Sequence, residues 1–107
     1  MNIDERIRAV MGPVNIEEYC RRWKIVRMEL FGSVLRDDFR PDSDVDILIE
    51  IEKHARWGLL DFIRMEEEIR EILHRRVDLI ERSVVETSPN WIRRDSILGS
   101  TRLIYAE

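Results

Sequence analysis

The stretch that decides the fold is Phe31-Gly32-Ser33-Val34-Leu35-Arg36, continued by Pro41-Asp42-Ser43-Asp44-Val45-Asp46-Ile47-Leu48-Ile49-Glu50-Ile51. From Asp44 to Ile51 the side chains alternate strictly. Val45, Ile47, Ile49 and Ile51 fall on one face, and Asp44, Asp46, Leu48 and Glu50 on the other, which predicts a strand. Upstream, Lys24 to Phe31 reads the same way, with Val26, Met28 and Leu30 on one face and Arg27 and Glu29 on the other. Gly32 ends that strand, Ser33 to about Phe39 makes one or two helical turns, and Pro41-Asp42 breaks them.

Outward from this core the pattern turns helical. Asn2 with Glu5 forms a capping box ahead of Ile3, Ile7, Val10 and Met11, and Gly12-Pro13 stops that helix. Asn15 with Glu18 caps a second short helix to about Arg22, burying Ile16 and Tyr19 or Cys20. Gly58 to Leu73 carries Phe62, Met65, Ile69, Ile72 and Leu73 at the spacing of a buried helical stripe. Val77 to Glu81 is a third strand. Ser88-Pro89 reads as an N-cap with proline at the first helical position, opening a helix that Gly99 closes. Arg102 to Tyr105 is a short edge strand. Helices alternating with strands predict an α/β or α+β domain, a small mixed sheet flanked by helices.

The polar residues in the central stretch define a chemistry. Asp44 and Asp46 lie two apart on a strand, so their carboxylates point the same way and repel. A divalent cation between them removes that repulsion. Oxygen ligands with no histidine or cysteine beside them favour magnesium or manganese. Asp78, bracketed by Val77 and Leu79 on the third strand, is placed to complete a three-carboxylate metal site. Gly32 lets a phosphate approach the backbone, and the Ser33 hydroxyl with the following amides offers donors to phosphate oxygens. A phosphate cradle beside a carboxylate metal site is what nucleotidyl transfer requires. Each element alone is ordinary, since a lone Gly-Ser is usually a turn and a lone Asp-x-Asp a loop or cap. Their conjunction at the required strand ends and faces carries the reading.

Composition bounds the rest. The chain has 107 residues, which predicts one domain over residues 1–107 with a single core. Hydrophobic residues at 44% exclude disorder by composition. The net charge of −4, from 18 basic and 22 acidic residues, disfavours a nucleic-acid partner. One cysteine, Cys20, excludes an intrachain disulfide. With no signal peptide or membrane-length apolar run, a cytoplasmic setting is expected.

Gly32-Ser33, ten residues, then Asp44-x-Asp46 resembles the signature of the DNA polymerase beta-type nucleotidyltransferase superfamily. Arg36 and the run Arg40-Pro41-Asp42-Ser43-Asp44 are similar to its minimal branch, as is Arg76-Val77-Asp78-Leu79-Ile80 around the third carboxylate. The resemblance implies the polymerase beta-like fold. It implies Asp44, Asp46 and Asp78 as catalytic ligands of magnesium, two ions being expected, and Gly32, Ser33, Arg36 and Ser43 as contacts to ATP. It also implies the antitoxin half of a toxin–antitoxin pair, whose transferase moves AMP from ATP onto a tyrosine of a helical HEPN toxin. His74 departs from the pattern, standing where relatives often carry glycine, and a local change of helix cap is expected.

Other residues read more plainly. His54 and His74 are isolated. Trp23, Trp57 and Trp91 suit either a partner surface or the core, and Cys20 suits the core. Glu66-Glu67-Glu68 suits a solvated face, and so do Arg93 and Arg94, with a nucleotide or an acidic partner as the second reading. Two competing functions remain: an antitoxin acting by contact alone, which the intact carboxylate set argues against, and a small-molecule transferase of the antibiotic-modifying type. The latter normally needs a further helical domain to hold its acceptor.

Overall fold

Two antiparallel strands, β1 (Ile25–Phe31) and β2 (Val45–Ile51), form the centre of a four-stranded sheet in the computed structural model, which describes residues 2–107. β3 (Val77–Glu81) pairs parallel with β2, and β4 (Thr101–Ala106) pairs antiparallel with the other edge of β1, giving the order β3-β2-β1-β4. A parallel pair needs a crossover connection, and here it is the long helix α3 (Leu59–Leu73). α1 (Ile3–Met11) and α2 (Ile16–Arg22) precede the sheet, a 3₁₀ turn (Gly32–Leu35) follows β1, and α4 (Arg82–Glu86) and α5 (Trp91–Leu98) lie between β3 and β4.

Both faces of the sheet are covered. On one face Met28, Leu30, Val45, Ile47 and Ile49 pack with Met11, Tyr19 and Cys20 from α1 and α2 and with Met65 and Ile69 from α3. The Tyr19 hydroxyl donates to the Met65 carbonyl at 2.8 Å, so this buried phenol is satisfied. On the opposite face a smaller cluster joins Phe31 and Leu48 to Val85 of α4 and Ile97 of α5.

The caps at Asn2 and Asn15 are as the sequence predicts: each side chain accepts a backbone N–H, from Glu5 at 2.8 Å and Glu18 at 3.2 Å. Three local readings are corrected. Val26 does not share a face with Met28 and Leu30. Ile25 pairs with Ile51 but Arg27 with Glu50, so a bulge inserts one extra residue and Ile25 takes the core position. Glu29 keeps the face that the alternation assigns to it, and that face is covered: it is buried and bound by Arg27 at 2.8 Å, Arg82 at 2.5 Å and the Thr101 hydroxyl. The last helix is capped by Asn90, which accepts from Arg93 N at 3.1 Å; Ser88 and Pro89 belong to the turn before it. A five-residue helix, α4, intervenes where no helix was expected; it is too short to show a hydrophobic period. His74 holds the left-handed C-cap of α3 with φ at +52°, a conformation glycine adopts without strain.

Candidate active site

The sheet brings together residues far apart in sequence at one end of β2 and β3. Because β2 and β3 are parallel and in register, Asp46 lies directly beside Asp78. Phe31, the last residue of β1, sits opposite Asp46 on the other side. The chain then turns at Gly32, whose φ of +74° lies in the region that L side chains avoid. A Cβ at Gly32 would also collide with Asp46 Oδ2. Glycine is therefore required here twice, for the backbone angle and for the space the Asp46 carboxylate occupies.

The three aspartates differ in environment. Asp46 is half-buried, and its pKa is pushed up to about 6 by burial first, then by the negative charges of Asp78 and Asp44; Arg36 opposes them. Asp44 Oδ1 is buried without a hydrogen-bond partner. Arg76 Nε lies 2.9 Å from that oxygen as an ion pair at a solvent-exposed guanidinium. Asp78 is exposed. An orphaned carboxylate oxygen and a neighbour that resists ionisation are what an all-oxygen cation site looks like without its cation, so the donor set fits magnesium. Among the described residues, however, no three acidic, histidine or cysteine side chains are gathered into a ready-made metal cluster.

The remaining expected residues divide. The Ser33 hydroxyl donates to the Asp44 carbonyl at 3.1 Å, tying the 3₁₀ turn to the start of β2. Ser43 accepts from Arg40 N at 3.0 Å and closes the turn at Arg40–Ser43. Arg36 is exposed, lies 3.4 Å from Asp38, and acts on Asp46 through its charge.

An open cleft of about 580 Å³ lies over Gly32, Asp46 and Asp78. Its far wall is α5 and its N-cap, which contribute Ile92, Arg93, Ser96 and Ile97 and Asn90 respectively, while Phe31 and Ile80 line the floor. Ser33, Arg36, Ser43 and Asp44 are not part of this wall. The α5 contribution is what sequence reasoning missed. The signal was present only as Arg93, for which the solvated face was the first reading. A second, smaller recess shares Ile80, Arg93 and Ile97 with the cleft and contains no carboxylate. It is therefore not where the chemistry lies.

Residues 15–104 match the nucleotidyltransferase domain family. A protein adenylyltransferase of Thermococcus cleftensis is 37% identical over 83 residues, covering 78% of this chain and 81% of that protein. The structure of a candidate minimal nucleotidyltransferase superposes with a TM-score of 0.65 at 31% identity, over 97% of this chain and 95% of that one. A toxin–antitoxin crystal structure with AMP-PNP shares the fold, with a TM-score of 0.66 at 16% identity over 88% of this chain and 75% of that one. The chain belongs to the nucleotidyltransferase domain family, in its minimal branch. No helix among the described residues is long and apolar enough to cross a membrane.

Proposed function

We propose that this chain is a magnesium-dependent protein adenylyltransferase, the antitoxin of a pair, that moves AMP from ATP to a tyrosine of a HEPN-type partner. The observation that carries the reading is the convergence of Gly32, Asp46 and Asp78 on one open cleft. The name of the Thermococcus relative supports the protein acceptor, and the toxin–antitoxin structure with AMP-PNP supports the nucleotide and the kind of partner.

Asp44, Asp46 and Asp78 would hold the magnesium, whose charge offsets that of the triphosphate and of the departing pyrophosphate. Gly32 leaves room for the Asp46 carboxylate where the chain turns into the cleft, and Phe31, Ile80 and Ile92 offer apolar surface to the nucleotide. The acceptor tyrosine oxygen attacks the α-phosphorus. The bond from that phosphorus to the bridging oxygen breaks, and pyrophosphate departs with the electron pair. A phenol near its ordinary pKa of ~10 is a weak nucleophile until its proton is drawn off. Asp78, exposed at the cleft on a different strand from the Asp-x-Asp pair, takes that proton on its carboxylate as the new bond forms.

Co-expression with the partner, followed by intact-mass and peptide mass spectrometry, tests this. One or more AMP units on a partner tyrosine are expected. Asp78→Asn is expected to bind Mg-ATP more weakly, to dock the partner, and to leave it unmodified. An unmodified partner that is nonetheless neutralised by the wild-type chain would select inhibition by contact instead.

A further inference from the structure

The cleft described above presents two carboxylates to a ligand that is itself a polyanion. Even with magnesium bound, the outer phosphate oxygens need donors of positive charge. The other arginines around the site do not line the cleft. Arg76 lies against Asp44 at 2.9 Å, Arg36 lies near Asp38 at 3.4 Å, and Arg27 and Arg82 are bound to the buried Glu29. Among the residues lining the cleft the one cation is Arg93. Its guanidinium has no ion pair and no hydrogen bond among the described residues, whereas the adjacent Arg94 pairs with Asp95 at 3.5 Å.

The backbone beneath Arg93 is held firmly. Asn90 Oδ1 accepts its N–H at 3.1 Å, and Ile97, one turn further along the same face, is buried against Phe31, Leu48 and Val85. Arg93 lines the same cleft as Asp46 and Asp78 and forms no ion pair with either. The geometry points to Arg93 as a binding residue for the triphosphate of the nucleotide, reaching it from the α5 wall. This rests on reading the cleft as the nucleotide site. A planar guanidinium suits two phosphate oxygens at once. Nucleotide phosphate is favoured over an acidic side chain of the acceptor protein. A further carboxylate here would bring another negative charge beside the triphosphate and the aspartates.

The test is calorimetric titration of the full chain with ATP, ADP and AMP, each with magnesium. Arg93→Ala is expected to weaken ATP binding by ~10- to 100-fold, the range for lost charge-assisted hydrogen bonds. AMP binding should change by no more than about twofold, because AMP lacks the outer phosphates. Arg93→Lys should recover part of the loss, and in turnover assays Arg93→Ala should raise KM for ATP more than it lowers kcat. Arg94→Ala serves as the control and should titrate like wild type, and circular dichroism melts should show all three variants folded. ATP affinity unchanged in Arg93→Ala, or an equal loss for ATP and AMP, overturns the assignment. So does unchanged ATP affinity combined with lost partner modification, which would move Arg93 to the acceptor. A wild-type chain that binds none of the three nucleotides defeats the nucleotide-site reading itself, a result distinct from failure of the variant.

Discussion

Replacing Asp46 by asparagine should make the metal-free protein more stable while abolishing its activity. In the fold, burial and the charges of Asp78 and Asp44 raise the Asp46 pKa from 3.8 to about 6. Across that interval the folded state holds a proton that the unfolded chain has released. Wild-type stability therefore falls as pH rises from about 3.8 to about 6 and stays reduced above it. At ~1.4 kcal/mol per pH unit the full effect would approach ~3 kcal/mol, and solvent access to the half-buried carboxylate brings it to ~1–1.5 kcal/mol. For a chain of this length that is ~5–8 °C in melting temperature. An asparagine side chain is nearly isosteric and cannot ionise, so the variant escapes the penalty. Thermal melts of both proteins in chelator, from about pH 4 to about pH 8, should nearly coincide at the acid end. They should separate through the interval and run parallel above it, with the variant melting higher. Magnesium and ATP should then raise the wild type selectively, because only it binds them well, and reverse the order. A variant that melts at or below wild type near neutral pH in chelator, or a difference that does not change with pH, would refute the electrostatic account of the site.

Three further outcomes are expected. Gly32→Ala should lower the melting temperature through ~1–2 kcal/mol of left-handed backbone strain, and ATP titration should show weakened binding because the new Cβ pushes the Asp46 carboxylate aside. Glu29→Gln should destabilise by ~2–3 kcal/mol in urea titrations, because it leaves Arg27 and Arg82 facing a neutral buried group. Although burial raises the Glu29 pKa, the hydrogen bonds from Thr101 and Arg27 and the charge of Arg82 hold it below its usual value, so its contribution is present at neutral pH and disappears as pH falls through that lowered pKa. His74→Gly should stabilise by ~1 kcal/mol, read as a rise in melting temperature with activity retained, since glycine occupies the α3 C-cap without the strain His74 bears.

What was legible in the chain follows from how locally each feature is encoded. β2 was read correctly because one strand carries its own alternation, and β3 because Val77, Leu79 and Ile80 form a short apolar run after the polar His74-Arg75-Arg76. Of the Gly-Ser and Asp-x-Asp pieces, Gly32 and Asp46 reach the cleft, while Ser33 and Asp44 do not line it. The bulge at Val26 was not legible, because it arises from how β1 is held between β2 and β4. Glu29 was assigned to the right face, but its burial depends on Arg82 and Thr101, fifty or more residues away. Ser88 and Asn90 are equally good capping residues, and the choice falls to the one whose oxygen meets an N3 amide. The α5 wall of the cleft was hidden for the same reason: nothing local in Trp91–Leu98 states that it lines a cleft with Asp46.

The second face of the sheet does two jobs that conflict. Towards one end of β2, Leu48 is sealed beneath Val85 and Ile97, while two residues away Asp46 keeps a carboxylate half out of water beside Asp78. A face that was apolar throughout would pack α5 closer and be more stable. A face that was polar throughout would leave α5 with nothing to hold it. Glu29 resolves part of the conflict. It is the register neighbour of Leu48 on β1, neutralised by Arg27 of its own strand and Arg82 of α4 and hydrogen-bonded by the Thr101 hydroxyl of β4. The segment holding α4 and α5 is thereby tied at both ends to a buried anion in the central strand. The cleft between α5 and the aspartates can stay open because this network and the small cluster around Ile97, rather than the site itself, fix the height of its roof.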